Sequence, residues 1–241
     1  MPLPFFYLEA VSLTDNIILL NEENSKHIVQ VLRMTEGKQL NLTDGLGTIY
    51  TAEILDAHKK KCTVKVIQTS KQNKSTNAVC VAVSPVKNNS RFEWFLEKAT
   101  EMGVGEIVPL ICERTEKQHL KFDRLRGILI SAMLQSQQAW LPVLHEPVKF
   151  EKFVKENTAN NKFIAHCEDL EKNSLKNILA RLVYQPTNQS TILIGPEGDF
   201  SKEETKFASL NGFKIITLCE SRLRTETAGI VACEIINFIN N

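Results

Sequence analysis

The sequence predicts an α/β protein in two parts: a small β-rich N-terminal domain, 1–72, and a larger domain, 73–241, built on a parallel sheet. Three observations carry this. Residues 1 to about 70 hold several short stretches in which apolar and polar residues alternate, the period of a half-buried strand. The stretch QTSKQNKSTN, 68–77, is small, polar and without period, which marks a linker. Beyond it, apolar runs alternate with helical patterns, the rhythm of a parallel sheet covered on both faces.

Each element has its own signal. Asn16–Leu20, Lys38–Thr43, Thr48–Ile54 and Thr63–Ile67 read as strands, with Asp44-Gly45-Leu46-Gly47 joining the second and third as a hairpin. Ser25–Met34 reads as one helix with Ile28, Val31 and Leu32 on its inner face. Several short strands in so little chain suggest a small barrel. In the second part, Ala78–Val83, Glu106–Ile111, Lys162–His166, Thr191–Ile194 and Lys214–Leu218 read as strands. Helices are expected at Arg91–Met102, with Phe92, Phe95, Leu96 and Ala99 inward, and at Phe122–Gln138 and Ser174–Val183. A further helix starts at Ser201, whose spacing to Glu204 is a capping box. The closing helix, Glu226–Ile239, shows Ile230, Val231, Ile235 and Phe238 at core spacing.

Composition excludes several classes. With 43% hydrophobic and 24% charged residues the chain is globular, and no apolar run spans a bilayer. The start, MPLPFFYLEAV, lacks the pattern of a signal peptide, so the cytoplasm is the expected compartment. None of the cysteines (Cys62, Cys80, Cys112, Cys167, Cys219, Cys233) forms a C-x-x-C pair; buried free thiols are expected, with neither zinc nor a disulfide framework. A net charge of +1 carries no information about a nucleic-acid partner.

The stretch TILIGPEGDFSKEE, Thr191–Glu204, carries the first functional hint: an apolar strand runs through Gly195-Pro196-Glu197-Gly198 straight into a helix. The two glycines permit backbone angles closed to other residues and leave N–H groups uncovered. Such a turn serves either as a plain connection or as a cradle of bare backbone for a ligand. In parallel sheets ligands sit beyond the carboxyl ends of strands, and the ends at His166, Gly195 and Leu218 are candidates to meet.

LIGPEGDFS, Leu193–Ser201, followed by LCESRLRTETAGIVA, Leu218–Ala232, resembles the C-terminal signature of the ribosomal RNA small-subunit methyltransferase E family. HIVQVLRMTEGKQLNLTDGLGTIYTAEI (27–54) is similar to the family's PUA-like N-terminal domain. RFEWFLEKATEMGVGEIVPLICER (91–114) is similar to its first helix and strand after the linker. The resemblance implies a SPOUT-type α/β domain with a deep trefoil knot beside a PUA-like β-barrel. It also implies a homodimer through the knot and closing helix, and methylation of N3 of a uridine in 16S rRNA of the small ribosomal subunit. The implied cofactor is S-adenosylmethionine, held by His166, Gly195, Pro196, Glu197, Gly198, Leu218, Leu223 and Thr227, with no metal. A glycine is commoner in the family where Asp199 and Cys219 stand, and an arginine where Ser221 and Gln138 stand.

On this resemblance Arg224 stabilises negative charge on the base, because an arginine cannot serve as a base near neutral pH. Glu226 and Glu197 are then the candidate proton acceptors. Read from the residues alone, Thr225-Glu226 is equally the capped start of a helix. His27, Arg33 and Arg222 are candidate RNA contacts, the first two being equally a solvated helix face. Ribose 2′-O methylation and RNA binding without catalysis remain alternative functions.

Overall fold

Residues 5–71 form a five-stranded sheet in the computed structural model, which describes residues 2–9, 16–73, 79–166, 173–176, 178 and 189–240. Its strands are β1 (Phe5–Tyr7), β2 (Ile17–Leu19), β3 (Gln39–Thr43), β4 (Thr48–Asp56) and β5 (Thr63–Lys71), in the order β1-β3-β4-β5-β2. β1 runs parallel to β3, and the other ladders are antiparallel. Alternation places Leu40, Leu42, Ala52, Ile54 and Val64 on one buried face with Phe6, Ile18 and Ile28. The hairpin turn needs its glycines, since Gly45 and Gly47 have φ of +74° and +88°.

Two expectations change here. Residues 68–71 are not linker but the end of β5, paired with Thr48–Thr51. Polar side chains on both faces hide the strand period there, while the backbone ladder holds the pairing. The expected helix Ser25–Met34 is α1 (Glu22–Lys26), capped by Asn21, followed by a π-helical turn over His27–Val31. The wider turn breaks the 3.6-residue stripe, so Ile28 is buried while Val31 and Leu32 are exposed.

By internal packing the chain divides into Met1–Lys74 with Met133–Leu141, and Ser75–Ala132 with Pro142–Asn241. The returning segment 133–141 clasps the hairpin turn. Gly47 N–H donates to Ala139 C=O (2.8 Å), Leu141 N–H to Gly45 C=O (2.9 Å), and the Trp140 indole to Gln72 C=O (3.0 Å). The Trp140 ring occupies the space that a side chain on Gly47 would take.

The second unit is built on parallel ladders. Its strands are β6 (Val79–Val83), β7 (Glu106–Ile111), β8 (Val143–Leu144), β9 (Val148–Lys149), β10 (Asn161–Ala165), β11 (Asn173–Ser174), β12 (Ser190–Ile194) and β13 (Lys214–Thr217). They lie in the order β11-β13-β10-β12-β6-β7-β8, with β9 pairing β7. The helices are α2 (Asn89–Glu101), α3 (Phe122–Gln135), α4 (Phe150–Glu156), α5 (Lys202–Leu210) and α6 (Thr225–Asn240). α3 stops short of Gln138, with Gln137 at φ +57°. The expected helix Ser174–Val183 lies mostly outside the described residues, although Asn173–Ser174 is a strand. Burial pushes the thiols of Cys80 and Cys233 up to about 12 and that of Cys62 up to about 11, and raises Cys112 further, so these are inert; Cys167 lies outside the described residues.

α2 presents Phe92, Phe95, Leu96 and Ala99 to the core as expected. α6 does not present the expected face. Its buried residues are Thr225, Glu226, Gly229, Ala232, Cys233 and Ile236, while Ile230, Val231 and Ile235 are half-buried and the Phe238 side chain lies outside the described ones. Small residues win because α2 comes close: a Cβ on Gly229 would sit 2.5 Å from the Phe95 ring.

Gly47→Ala tests the clasp. A left-handed alanine costs about 1–2 kcal/mol, and its methyl would displace the Trp140 ring. Urea unfolding is expected to show at least that loss in midpoint stability at unchanged m-value.

Candidate active site

The site is set by sheet order. β13, β10 and β12 are neighbours, and Ala165 pairs with both Ile194 and Ile216, so three strands end level. The chain leaves those ends as His166, as the turn Gly195–Asp199 and as the loop Leu218–Arg224. Together with the first turns of α2 and α6 they enclose a cavity of about 670 Å³. Ligand sites in such sheets form at this kind of edge, and the volume is that of a cofactor-sized ligand.

The turn departs from expectation. Neither Gly195 nor Gly198 is left-handed; Asp199 is, at φ +63°. The glycines serve close approach instead. A Cβ on Gly195 would lie 3.1 Å from the Phe200 ring and 3.2 Å from the Phe200 nitrogen, and one on Gly198 would lie 3.3 Å from Arg114 Cδ. A left-handed aspartate costs about 1–2 kcal/mol, which its side chain offsets locally. Asp199 Oδ1 accepts from Phe200 N–H (2.8 Å), and Oδ2 lies 3.0 Å from Nδ1 of buried His166. That backbone angle is the physical reason a glycine suits the position.

The turn is tied down from several directions. Ser84 N–H donates to Ile194 C=O (2.9 Å), Lys87 N–H to the Glu197 carboxylate (3.1 Å), and the Arg114 guanidinium to Gly198 C=O (2.7 Å). The expected capping box is present. Ser201 Oγ accepts from Glu204 N–H (3.2 Å), while the Glu204 carboxylate accepts from Ser201 N–H (3.0 Å) and also from Glu113 N–H (2.9 Å).

α6 begins beside this turn. Arg224 C=O accepts from Ala228 N–H (2.8 Å), which makes Arg224, not Thr225, the capping position. The Thr225 hydroxyl donates instead to Gly195 C=O (3.0 Å) and joins the helix start to the end of β12. Glu226 follows with its side chain only 7% exposed, and its carboxylate lies 3.7 Å from Nε of Arg91 in the first turn of α2. Among the described residues no hydrogen bond reaches that carboxylate. Its acceptor capacity is open to the cavity, which Glu226 lines.

His166, Gly195, Pro196, Glu197, Gly198, Leu218, Arg222, Leu223, Arg224 and Glu226 all line the cavity, but Thr227 does not. Leu218 and Leu223 are half-buried, which makes one wall apolar. Cys219 is exposed, with its thiol donating to Ser221 C=O (3.0 Å). His27 and Arg33 belong to the other unit. The His27 ring meets Phe6 edge-on at 5.6 Å, and Arg33 is exposed with φ +53°. Gln138 is likewise in that unit.

Sequence reasoning missed Arg91, Arg114, Asp199 and Thr225 as cavity-lining residues. Arg91 carried one usable signal: it stands four residues before Phe95 on a helix whose inner face was legible, so it shares the stripe that points toward α6. Among the described residues no group of His, Cys, Asp and Glu is placed to hold a metal, and no helix is long and apolar enough to cross a membrane.

The mixed sheet followed by a parallel domain with a cavity at level strand ends falls in the class of RNA methyltransferases with a PUA domain, by the match of both parts to family models. Sequence models of the RNA methyltransferase domain and of the RNA methyltransferase PUA domain match residues 72–237 and 20–67. The chain belongs to the ribosomal RNA small subunit methyltransferase E family. It is 28% identical to that enzyme of Rickettsia conorii over 217 residues, 90% of this chain and 87% of the relative. A probable rRNA methyltransferase from Porphyromonas gingivalis superposes with a TM-score of 0.90 at 37% identity, covering 99% of this chain and 98% of that one. A putative methyltransferase from Legionella pneumophila, solved with bound cofactor SAM, gives 0.85 at 30% identity with 98% and 97% coverage. The family enzyme from Neisseria gonorrhoeae, bound to S-adenosyl methionine, gives 0.84 at 26% identity with 96% and 95% coverage.

The approach of α2 to α6 generates the prediction here. In an exposed helix Gly→Ala gains about 1 kcal/mol, and Gly127 of α3, with nothing near its missing Cβ, should show that gain. Gly229→Ala should instead lose about 1–3 kcal/mol, the cost of overpacking. Paired denaturation curves check the opposite signs; equal signs would remove the steric account.

Proposed function

We propose that the chain transfers a methyl group from S-adenosylmethionine to N3 of a uridine in 16S rRNA of the small ribosomal subunit. The observation that carries this is the cavity at the three level strand ends, with bare backbone on one side and Arg224 and Glu226 on the other, in a member of this family.

The residues present fit the cofactor. A side chain on Gly195 or Gly198 would press on Phe200 or Arg114, so the turn keeps its backbone bare. Half-buried Leu218 and Leu223 offer apolar walls for a flat adenine, and Glu197, His166 and the main chain of the turn, which line the same cavity, offer polar partners. When bound, S-adenosylmethionine supplies a methyl group on a positively charged sulfur, which leaves as a neutral thioether without help from a metal. The protein aligns the reacting atoms and stabilises the negative charge that grows on the base. Arg224, exposed at the start of α6, supplies that positive charge. Glu226, buried with open acceptor capacity, is the stronger of the two candidate proton acceptors, because the Glu197 carboxylate already accepts from Lys87 N–H.

Residues 1–72 serve as the RNA-docking domain, a PUA-like barrel offering His27 and Arg33 to phosphate, with Arg222 as a contact at the cavity. Residues 73–241 form the catalytic domain, with the last third of the chain threaded as a trefoil knot. The half-buried apolar face of α6 (Ile230, Val231, Ile235) suits a homodimer through that helix. The rRNA substrate places the protein in the cytoplasm.

Incubation with unmodified small-subunit particles and S-adenosylmethionine, followed by mass analysis of nucleosides, is expected to yield a base-methylated uridine. A ribose-methylated nucleoside, or no methylation, would overturn the reading. Arg224→Lys keeps the charge but loses the planar fork. It should slow single-turnover methylation on the order of a hundredfold with cofactor affinity and melting point nearly unchanged. An unchanged rate would remove Arg224 from the reaction.

A further inference from the structure

Arg91 and Glu226 face one another at the cavity from the first turns of two packed helices, and the proton-acceptor role proposed for Glu226 leaves Arg91 unaccounted for. The carboxylate is buried, lines the cavity and has no hydrogen bond among the described residues; the guanidinium is 3.7 Å from it and 43% exposed. A buried carboxylate normally fills its acceptor sites with protein donors. One left open toward a cavity, with a single cation at its edge, is built to take a donor from a ligand.

We propose that Arg91 and Glu226 together read and ionise the imide edge of uracil, with Arg91 as a specificity and catalytic residue; the proposal rests on the function proposed above. That edge presents carbonyl, N3–H, carbonyl. A carboxylate matches the N–H in the middle, and a guanidinium beside it matches a flanking carbonyl. Cytosine presents a lone pair at N3 and an amino group beside it, so the same pair faces it with acceptor against acceptor and donor against donor, a mismatch that excludes it.

The pair also explains how the proton leaves. The N3–H bond breaks with its electrons left on the ring, and the proton goes to a Glu226 oxygen. The resulting negative charge spreads over N3 and the two carbonyl oxygens. Glu226 is neutral afterwards, and the Arg91 guanidinium, having lost its anionic partner, faces the new anion. Net charge in the cavity does not change, so a fixed cation serves both states with little reorganisation. The N3 lone pair is then free for the methyl group.

The geometry behind this is one contact. Phe95 follows Arg91 by one helical turn, Gly229 follows Glu226 by nearly one, and Phe95 rests where a Gly229 side chain would be. The helix contact therefore sets the distance between the two charged groups.

The experiment uses 16S rRNA transcribed with uridine or with 5-fluorouridine and assembled into small-subunit particles. Fluorine at C5 makes the N3 proton more acidic, so a substrate that ionises readily needs less help. Arg91→Gln should slow single-turnover methylation of the uridine substrate by about a hundredfold, the loss typical for one donor to a developing anion. Against the fluorinated substrate the loss should shrink to about tenfold or less, a tenth of the effect of that one donor. Arg91→Lys, which keeps charge without the fork, should fall between wild type and Arg91→Gln on uridine. Calorimetric affinity for S-adenosylmethionine should stay within about twofold of wild type in both variants, as loss of a contact to the base alone predicts. Equal losses on both substrates, no loss on either, or a parallel fall in cofactor affinity would overturn the role of Arg91. A wild-type protein that methylates no N3 would instead overturn the parent function, and this proposal with it.

Discussion

The site depends on the absence of one Cβ. Gly229 lies in the middle of the contact between α2 and α6, and the fully buried Phe95 ring occupies the place of its missing side chain. A helix interior normally disfavours glycine by about 1 kcal/mol. Here the backbone entropy is exchanged for aromatic packing and for a short interaxial distance. With the axes held close, two helix N-termini open on the same cavity. Both ends carry partial positive charge, a field that favours anionic ligands and anionic intermediates, while Asn88 Oδ1 caps the start of α2 by accepting from Ser90 N–H (2.9 Å).

Around that contact the backbone groups at the strand ends are satisfied by side chains and main chain from distant elements. Ile194 C=O, Gly195 C=O and Gly198 C=O accept from Ser84, Thr225 and Arg114 in turn. These three carbonyls around the glycine turn would otherwise compete for water or for the ligand. Their capture fixes which way the remaining amides face. The end of β12 and the start of α6 are thereby joined in one corner, and the loop 219–222 on the cavity's rim is exposed.

Much of this was legible where signals are local. The end of β12, the turn and the Ser201–Glu204 box are consecutive in sequence, and each has its own stereochemical cause. The inner face of α2 follows from 3.6-residue spacing over four apolar residues. What stayed hidden had no local signature. β8, β9 and β11 are two-residue strands defined by their neighbours, and α4 is shorter than the window in which periodicity can be read. The polar end of β5 pairs through its backbone alone. The α6 face was misread because large apolar residues were taken as the core, whereas its neighbour's approach selects small ones. Of the two reasons read for the glycine turn one holds: its glycines leave room for close approach, whereas the left-handed angle falls on Asp199. Arg91 and Glu226 meet only through tertiary packing.

The clasp of 133–141 on the hairpin has a consequence for the order of assembly. A ribosome delivers residues 1–74 long before the segment that completes their packing. In the interval the turn at Gly45 and Gly47 lacks the two hydrogen bonds and the indole ring that later cover it. The N-terminal sheet therefore matures late, after most of the first helices and strands of its neighbour have emerged. Closing such a long loop carries an entropic cost that slows this step. A cut at residue 72 would leave segment 133–141 of the first unit on the C-terminal product.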